Sequence, residues 1–223
     1  MNQALHALSP LDGRYQKHAA PLRPYFSEFG LIRYRVLVEV RYFIALSALN
    51  LKGLPSLSTA QTAELHLLYS DFKESDALRI KEIEATINHD VKAVEYFLKE
   101  RFEALGLGDR VEFIHFGLTS QDVNNTAIPL SLLEAHRDVL RPALVELMER
   151  LESQAAEWDR LPMLARTHGQ AASPTRLGKE WRVFRERLSQ QLQLLDSLPF
   201  AGKFGGATGN FNAHSVAYPG VDW

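Results

Sequence analysis

Residues 120–158, SQDVNNTAIPLSLLEAHRDVLRPALVELMERLESQAAEW, form the longest helical pattern in this chain. Thr119 or Ser120 can cap its start, and a helix from there to Trp158 would be about 57 Å long at the standard rise. Pro129 and Pro142 predict kinks, or a break into two helices near residue 141. Because globular helices typically have about 8–20 residues, an element this long indicates a helical bundle or an oligomer.

Helical patterns also occupy most of the remaining chain. Apolar residues recur at three- and four-residue spacing, which predicts helices at 26–50, 58–69, about 78–105 and 175–198. No stretch alternates convincingly like a strand, so the predicted fold is all-α. The glycine-containing turn at 106–110 is the best domain boundary. It would separate an N-terminal helical domain, 1–110, from the first part of a helical bundle domain, 111–223.

The composition limits the classes of function. A net charge of −2 and 23% charged residues leave no basic excess, so we expect neither nucleic acid nor an anionic membrane as partner. The absence of cysteine excludes disulfides, thiolate metal sites and a cysteine nucleophile. The N-terminus lacks the pattern of a signal peptide, and no apolar run approaches membrane-spanning length. We therefore expect a cytoplasmic protein that binds a small polar ligand.

One histidine lies in a polar segment between two helical stretches. Residues 164–180 read LARTHGQAASPTRLGKE, in which Gly169 and Pro174 prevent a continuous helix. The pattern predicts an irregular loop that presents His168, whose imidazole is a candidate proton-transfer group. The alternative is a surface histidine in a helix connection.

Polar clusters at two other places are candidate binding groups. Arg14 and Tyr15 follow an Asp-Gly turn in SPLDGRY, residues 9–15, where a guanidinium can meet a phosphate or carboxylate. Thr119 and Ser120 in HFGLTSQD, residues 115–122, supply hydroxyls and free amides at a helix start, which suits an anion. Simple capping by Thr119 or Ser120 would equally satisfy the second pattern.

Two further segments are ambiguous. Asn88, His89 and Asp90 interrupt a helical stretch, and a local cap explains them about as well as a binding site does. The glycine-rich residues 203–214 lack the strand and helix that surround a phosphate loop. A helix connection or a small hairpin is the simpler interpretation of this segment.

Taken together and in this order, these clusters resemble the fumarate-releasing lyase superfamily of fumarase and aspartase. The likeness is greatest to the bacterial type of adenylosuccinate lyase and extends over nearly the whole chain. It rests on the segments SPLDGRY (9–15), NHDVKAVEYFLK (88–99), HFGLTSQDVNN (115–125), RTHGQ (166–170), GNFNAH (209–214) and AYPGVDW (217–223). The resemblance implies an L-aspartase-like fold.

The resemblance also implies a C–N lyase reaction of purine nucleotide biosynthesis. Adenylosuccinate would give AMP and fumarate, and a succinyl-aminoimidazole-carboxamide ribotide would lose fumarate in the same way, without metal or organic cofactor. By this likeness His168 is the general acid. Substrate contacts would come from a wider set of residues: Arg14 and Tyr15 at the phosphate, Thr119 and Ser120 at a succinyl carboxylate, and Asn88, His89 and Asp90 in the same binding segment.

One part of the family pattern does not occur. Its mobile loop, Ser-Ser-x-Met-Pro-x-Lys-x-Asn-Pro, carries a serine taken as the catalytic base, and this string is not found before Trp223. The chain is therefore expected to be the N-terminal part of a family member whose active sites form between subunits of a homotetramer, and to be inactive by itself. Two alternatives stay open: a catalytically incomplete nucleotide-binding or oligomerising helical module, and another fumarate-releasing enzyme such as argininosuccinate lyase.

Overall fold

A computed structural model describes residues 3–223, with side chains from residue 5 onward. Its helices and two strands are α1 (Gln16–Ala19), α2 (Arg23–Phe26), α3 (Glu28–Ala48), α4 (Thr59–Ser70), α5 (Glu74–Ile87), α6 (Asp90–Ala104), α7 (Ser120–Ala135), α8 (Arg141–Glu157), β1 (Pro162–Thr167), β2 (Gln170–Arg176), α9 (Leu177–Asp196) and α10 (Asn212–Ala217). Short 3₁₀ turns lie at Gln3–His6, Ala20–Leu22 and Gly108–Phe113. Among these described helices, none has both the length and the apolar character needed to cross a membrane. The predicted all-α class is confirmed.

The chain forms two compact units. The first contains residues 1–133 and 200–223, and the second contains residues 134–199. The boundary predicted at 110/111 falls within the first unit, and the division into family domains stays a prediction.

Helix α3 lies at the centre of the first unit. Ile32, Val36, Val40 and Phe43 along it are almost completely buried, and α3 packs against α4, α5 and α6. Its apolar residues recur at the spacing from which the helix was predicted. Fully burying one such side chain contributes about 1.5–3 kcal/mol, so α3 supplies a rigid centre for the elements around it.

The helix predicted from about 78 to 105 is in fact two helices. Asn88 has φ of 54°, in the left-handed region, and ends α5. His89 is extended and caps α6 with its own side chain. Asparagine tolerates the left-handed conformation better than most residues do, and this explains why the chain breaks here without glycine.

The long pattern at 120–158 is helical without interruption from residue 120 to residue 157, so the predicted break into two helices near residue 141 does not occur, and only the type of helix changes there. Helix α7 continues past Pro129, a π-helical turn occupies His136–Leu140, and α8 begins at Arg141. Pro142 lies in the first turn of α8, directly after the π-helical turn. The wider turn and the proline together account for this local irregularity in the helix.

The prediction of an irregular loop at 164–180, and of a chain without strands, was wrong. Strands β1 and β2 pair antiparallel, with Thr167 opposite Gln170 and an irregularity between Leu164 and Arg166. His168 (φ 50°) and Gly169 (φ 73°) form the two-residue turn, and positive φ at both positions is what a tight hairpin turn requires. Both strands are largely exposed. Without a buried face, the segment carried no alternating apolar pattern.

Candidate active site

The starts of α6 and α7 lie beside each other in the first unit. The Nδ1 atom of His89 accepts the backbone N–H of Lys92 at 3.1 Å. In the neutral imidazole the proton therefore lies on Nε2, which is 3.5 Å from Oγ of Ser120. An imidazole N–H and a hydroxyl thus occur together at two helix N-termini, whose helix dipoles favour an anion.

A buried arginine holds these helix starts in place. Arg35 on α3 donates from Nη2 to Oδ2 of Asp90 at 2.6 Å and from Nε to Oδ1 of Asn124 at 2.9 Å. Burial disfavours charge on Asp90, but the Val91 N–H and the guanidinium outweigh it and hold the pKa of this carboxyl below its usual value. Arg35 therefore ties α6 and α7 to the central helix. Asp90, predicted to bind substrate, is engaged in this ion pair.

The carboxylate of Asp122 joins the start of α7 to the glycine-rich segment. It is completely buried and accepts the Thr119 N–H at 2.8 Å, the Lys203 ammonium at 2.8 Å, and the Gly205 and Gly206 amides at 3.2 and 3.0 Å. Burial opposes its charge, but the Lys203, Thr119 and Gly205 donors outweigh burial and lower the pKa of Asp122. The segment 203–206 therefore contributes to the site by holding a carboxylate.

A second pair joins α3 to the segment before α7. His115, with φ of 59°, contacts Oε1 of the fully buried Glu39 through Nδ1 at 2.5 Å. Burial disfavours a charged imidazole, yet the hydrogen bond and the charge of Glu39 outweigh burial and raise the pKa of His115. The pair anchors the chain just before α7 to the central helix.

Tyr42 and His214 form a hydrogen-bonded pair beside the Phe116 backbone. The Tyr42 hydroxyl lies 2.7 Å from the Phe116 carbonyl and 2.7 Å from Nε2 of His214. Since the carbonyl can only accept, Tyr42 donates to it, and the imidazole must donate its Nε2–H to Tyr42. Burial lowers the pKa of His214, while burial and the charges of Glu39 and Asp122 raise the pKa of Tyr42. Both groups are therefore neutral.

The structure brings together only part of the predicted binding set. His89 and Ser120 converge, while Thr119 is bound to Asp122, and Asn88 lines a surface pocket with His89 and Asp90. Arg14 stacks near the Tyr15 ring at 5.5 Å, but no hydrogen bond or ion pair among the described residues joins this pair to α6 or α7.

His168 lies in the second unit, exposed at the tip of the hairpin. No hydrogen bond or ion pair to its imidazole occurs within the described part of the chain. The structure therefore shows a freely presented side chain on a strained two-residue turn, which suits a group that acts on a bound partner.

Several residues of the site were not predicted from the sequence. Arg35 and Glu39 interrupt the apolar stripe of α3, and a charged residue at a core position is a signal that could have found them. The other missed residues are Tyr42, Asp122, Lys203 and His214. Asp122 and His214 belong to the polar segments 115–122 and 209–214, but their roles depend on contacts between segments more than 80 residues apart.

The chain is similar in sequence to known proteins. Adenylosuccinate lyase of Dictyostelium discoideum is 55% identical over 98% of this chain and 48% of its own length. The enzymes of the same name from Haemophilus influenzae and Escherichia coli are 48% and 44% identical, over 98% and 99% of this chain and 48% and 49% of their own lengths. The chain therefore spans about half the length of the curated relatives it matches.

Solved structures show the same fold. The 3-carboxy-cis,cis-muconate lactonizing enzyme from Pseudomonas putida has a TM-score of 0.70 at 24% identity, covering 87% of this chain and 43% of that chain. The fumarate lyase from Mesorhizobium sp. BNC1 has a TM-score of 0.70 at 20% identity, covering 86% of this chain and 43% of that chain. The family described as Lyase matches residues 13–222. This chain belongs to that family.

Proposed function

We propose that the protein carrying this chain is a purine-pathway lyase that eliminates fumarate from adenylosuccinate, giving AMP, and from the succinyl-aminoimidazole-carboxamide ribotide. The observation that carries the proposal is the pairing of His89 Nε2 with Ser120 Oγ at two adjoining helix starts. The names of the relatives, at 44–55% identity, indicate the substrate.

The convergence of donors suits a succinyl carboxylate. The hydroxyl of Ser120, the Nε2–H of His89 and the first amides of α7 can all donate to one anion. During elimination, removal of the Cβ proton places negative charge on the adjacent carboxylate. Donors that are already oriented stabilise such charge in the transition state. Ser120 is therefore proposed to bind this carboxylate, with His89 beside it. Thr119, whose N–H and hydroxyl are held by Asp122, is proposed to shape the same segment together with Asn88 and Asp90.

His168 is proposed to protonate the departing nitrogen, and Arg14 with Tyr15 to bind the nucleotide phosphate. A guanidinium matches phosphate geometry, and Arg14 is exposed and has no ion pair among the described residues. The exposed hairpin tip can enter a site formed with other copies of the chain. We accordingly propose a homo-oligomer, a tetramer by the family likeness, located in the cytoplasm.

The test is an assay of the protein at its full length. Adenylosuccinate consumption is followed by ultraviolet absorbance and fumarate is quantified, with argininosuccinate as the competing succinyl substrate. The proposal expects fumarate and AMP from adenylosuccinate and no turnover of argininosuccinate. Turnover of argininosuccinate alone, or no fumarate from any succinyl substrate, would reject it.

A further inference from the structure

Asp122 is the third residue of α7 and has no exposed surface. Its Oδ1 accepts from Lys203 Nζ and the Gly205 N–H, and its Oδ2 accepts from the Thr119 and Gly206 amides and from Thr119 Oγ1 at 3.3 Å. A carboxylate offers about four lone-pair positions, and five donors occupy them. Asp122 has no capacity left for a ligand, so any role in binding must act through its neighbours.

Lys203 supplies the charge that this burial requires. Its ammonium contacts the Asp122 carboxylate and also donates to the Gly206 carbonyl. An isolated buried carboxylate is costly and becomes protonated unless a cation or several donors hold it. The lysine is only partly exposed and lies 81 positions from Asp122 in sequence. The pair therefore fixes the glycine-rich segment against the start of α7.

The same carboxylate determines how the Thr119 backbone is oriented. Thr119 is bound to it through both its N–H and its hydroxyl. Ser120 is the next residue, and its hydroxyl faces His89. A shift at Thr119 would move the Ser120 hydroxyl relative to the imidazole, because the two residues are directly linked by one peptide bond.

From these contacts we propose that Asp122, with Lys203 as its counter-ion, is a positioning residue that sets the Thr119–Ser120 turn in the geometry that receives the substrate carboxylate. The inference rests on the proposed function and deepens it. Asp122 touches no substrate in this scheme. It acts through the backbone that it holds, so its loss weakens the action of Ser120 and not that of an unrelated group.

The charged and titratable groups around Asp122 come from three elements: Lys203 on the glycine-rich segment, Tyr42 on α3 and His214 on α10. Tyr42 and His214 are neutral in the arrangement described above. Lys203 is thus the cation in contact with the carboxylate, and it is the natural position for a test that leaves the buried aspartate in place.

The experiment is a double-mutant cycle in the full-length protein, combining Lys203→Met with Ser120→Ala. We expect Lys203→Met to lower kcat/KM by about 10- to 100-fold when Ser120 is present, and by less than about threefold when Ser120 is alanine. The control Lys73→Met removes an exposed lysine of the same unit and should leave kcat/KM unchanged. Equal losses in both backgrounds would overturn the proposal. If Lys203→Met does not fold, Lys203→Gln takes its place in the same cycle.

The pH profile provides a second readout that a purely structural role would not change. Without its counter-ion, Asp122 should accept a proton at higher pH, so kcat/KM of Lys203→Met should gain an acid-side loss. Lys203→Arg keeps the charge and should retain the profile of the unmodified protein. Identical profiles for the Met and Arg variants would contradict the proposal.

Hydrogen exchange separates failure of this inference from failure of the proposed function. If the protein forms no fumarate, the proposed function fails, but the Thr119 amide can still be followed. Exchange in the peptide 117–123 should be about tenfold faster in Lys203→Met than in Lys203→Arg, since the Asp122 acceptor is weakened. Equal exchange in the two variants would show that Lys203 and Asp122 do not position this turn.

Discussion

The start of α7 and the tip of the β1–β2 hairpin present candidate functional groups in opposite ways. Ser120 belongs to a turn held by the buried Asp122 carboxylate and by donors from distant segments. His168 is exposed on a two-residue turn, and its neighbours are the two strands of the hairpin. Buried networks orient groups that must be in place before a ligand arrives, whereas an exposed turn suits a group that acts on a ligand bound elsewhere.

Removing the imidazole at the hairpin tip should cause the largest effect. His168→Ala is expected to lower kcat for fumarate formation by about 10²- to 10⁴-fold, the usual contribution of a positioned proton-transfer group. The melting temperature should be unchanged, because no packed contact is lost. Steady-state kinetics and calorimetry on the same preparation check both expectations.

His6→Ala serves as the matched control, because His6 is also exposed and lies in a short 3₁₀ turn. It should change neither kcat nor stability. Near-normal turnover by His168→Ala would show that His168 has no catalytic role. The hairpin tip would then not carry a catalytic group.

An added methyl group at Gly117 should cause a large loss of stability. A Cβ at this position would lie 2.6 Å from Cε1 of His214, and φ is 68°. Overpacking and left-handed strain together predict a loss of about 2–5 kcal/mol for Gly117→Ala. Denaturant unfolding measures it. A loss below about 1 kcal/mol would show that the Tyr42–His214 pair is not rigidly packed against Gly117.

The same substitution at the hairpin turn should cost less. Gly169 has φ of 73°, but nothing lies within 4 Å of the position that a Cβ would take. Gly169→Ala should therefore cost only the backbone strain, about 1–2 kcal/mol, and this strain should be confined to the hairpin. Hydrogen exchange should quicken at 162–176 and not at 117–123. Faster exchange in both segments would contradict the contrast between the two regions.

The smallest effect should be on the pH dependence of stability. The pKa of His115 is higher in the folded protein than its ordinary value of 6.5. Its contribution to stability is therefore fully present below pH 6.5 and is lost as the pH rises through the folded pKa. The pKa of His214 is lowered, so its contribution to stability is present above pH 6.5 and is lost as the pH falls through the folded pKa. When the melting temperature is measured from about pH 5 to about pH 9, its fall on the alkaline side should be shallower in His115→Gln than in the unmodified protein. An unchanged alkaline slope would reject the Glu39–His115 pair as its cause.

Much of the fold was predictable because its signals are local. The apolar spacing of α3, the Ser58 capping box at α4 and the proline at the start of α8 each lie within a few residues of the feature they predict. The hairpin was not predicted because both of its faces are exposed. Asn88 left two interpretations open, a cap and a binding site, and in the structure it ends α5.

The candidate site was only partly predictable for a related reason. His89 and Ser120 could be named from their motifs, but their approach depends on Arg35 joining Asp90 and Asn124, which are 34 positions apart. Asp122 was visible as part of a motif, yet its buried role needs a lysine from the glycine-rich segment. Contacts over such sequence distances have no periodicity that a single sequence displays.

The most direct test of the account is hydrogen exchange of full-length His168→Ala with and without adenylosuccinate. We predict that substrate protects the peptides containing 88–92 and 117–123 as strongly as in the unmodified protein, while fumarate forms about 10²- to 10⁴-fold more slowly. Loss of that protection in His168→Ala would contradict the division between a preformed carboxylate site at α6 and α7 and a catalytic group on the hairpin.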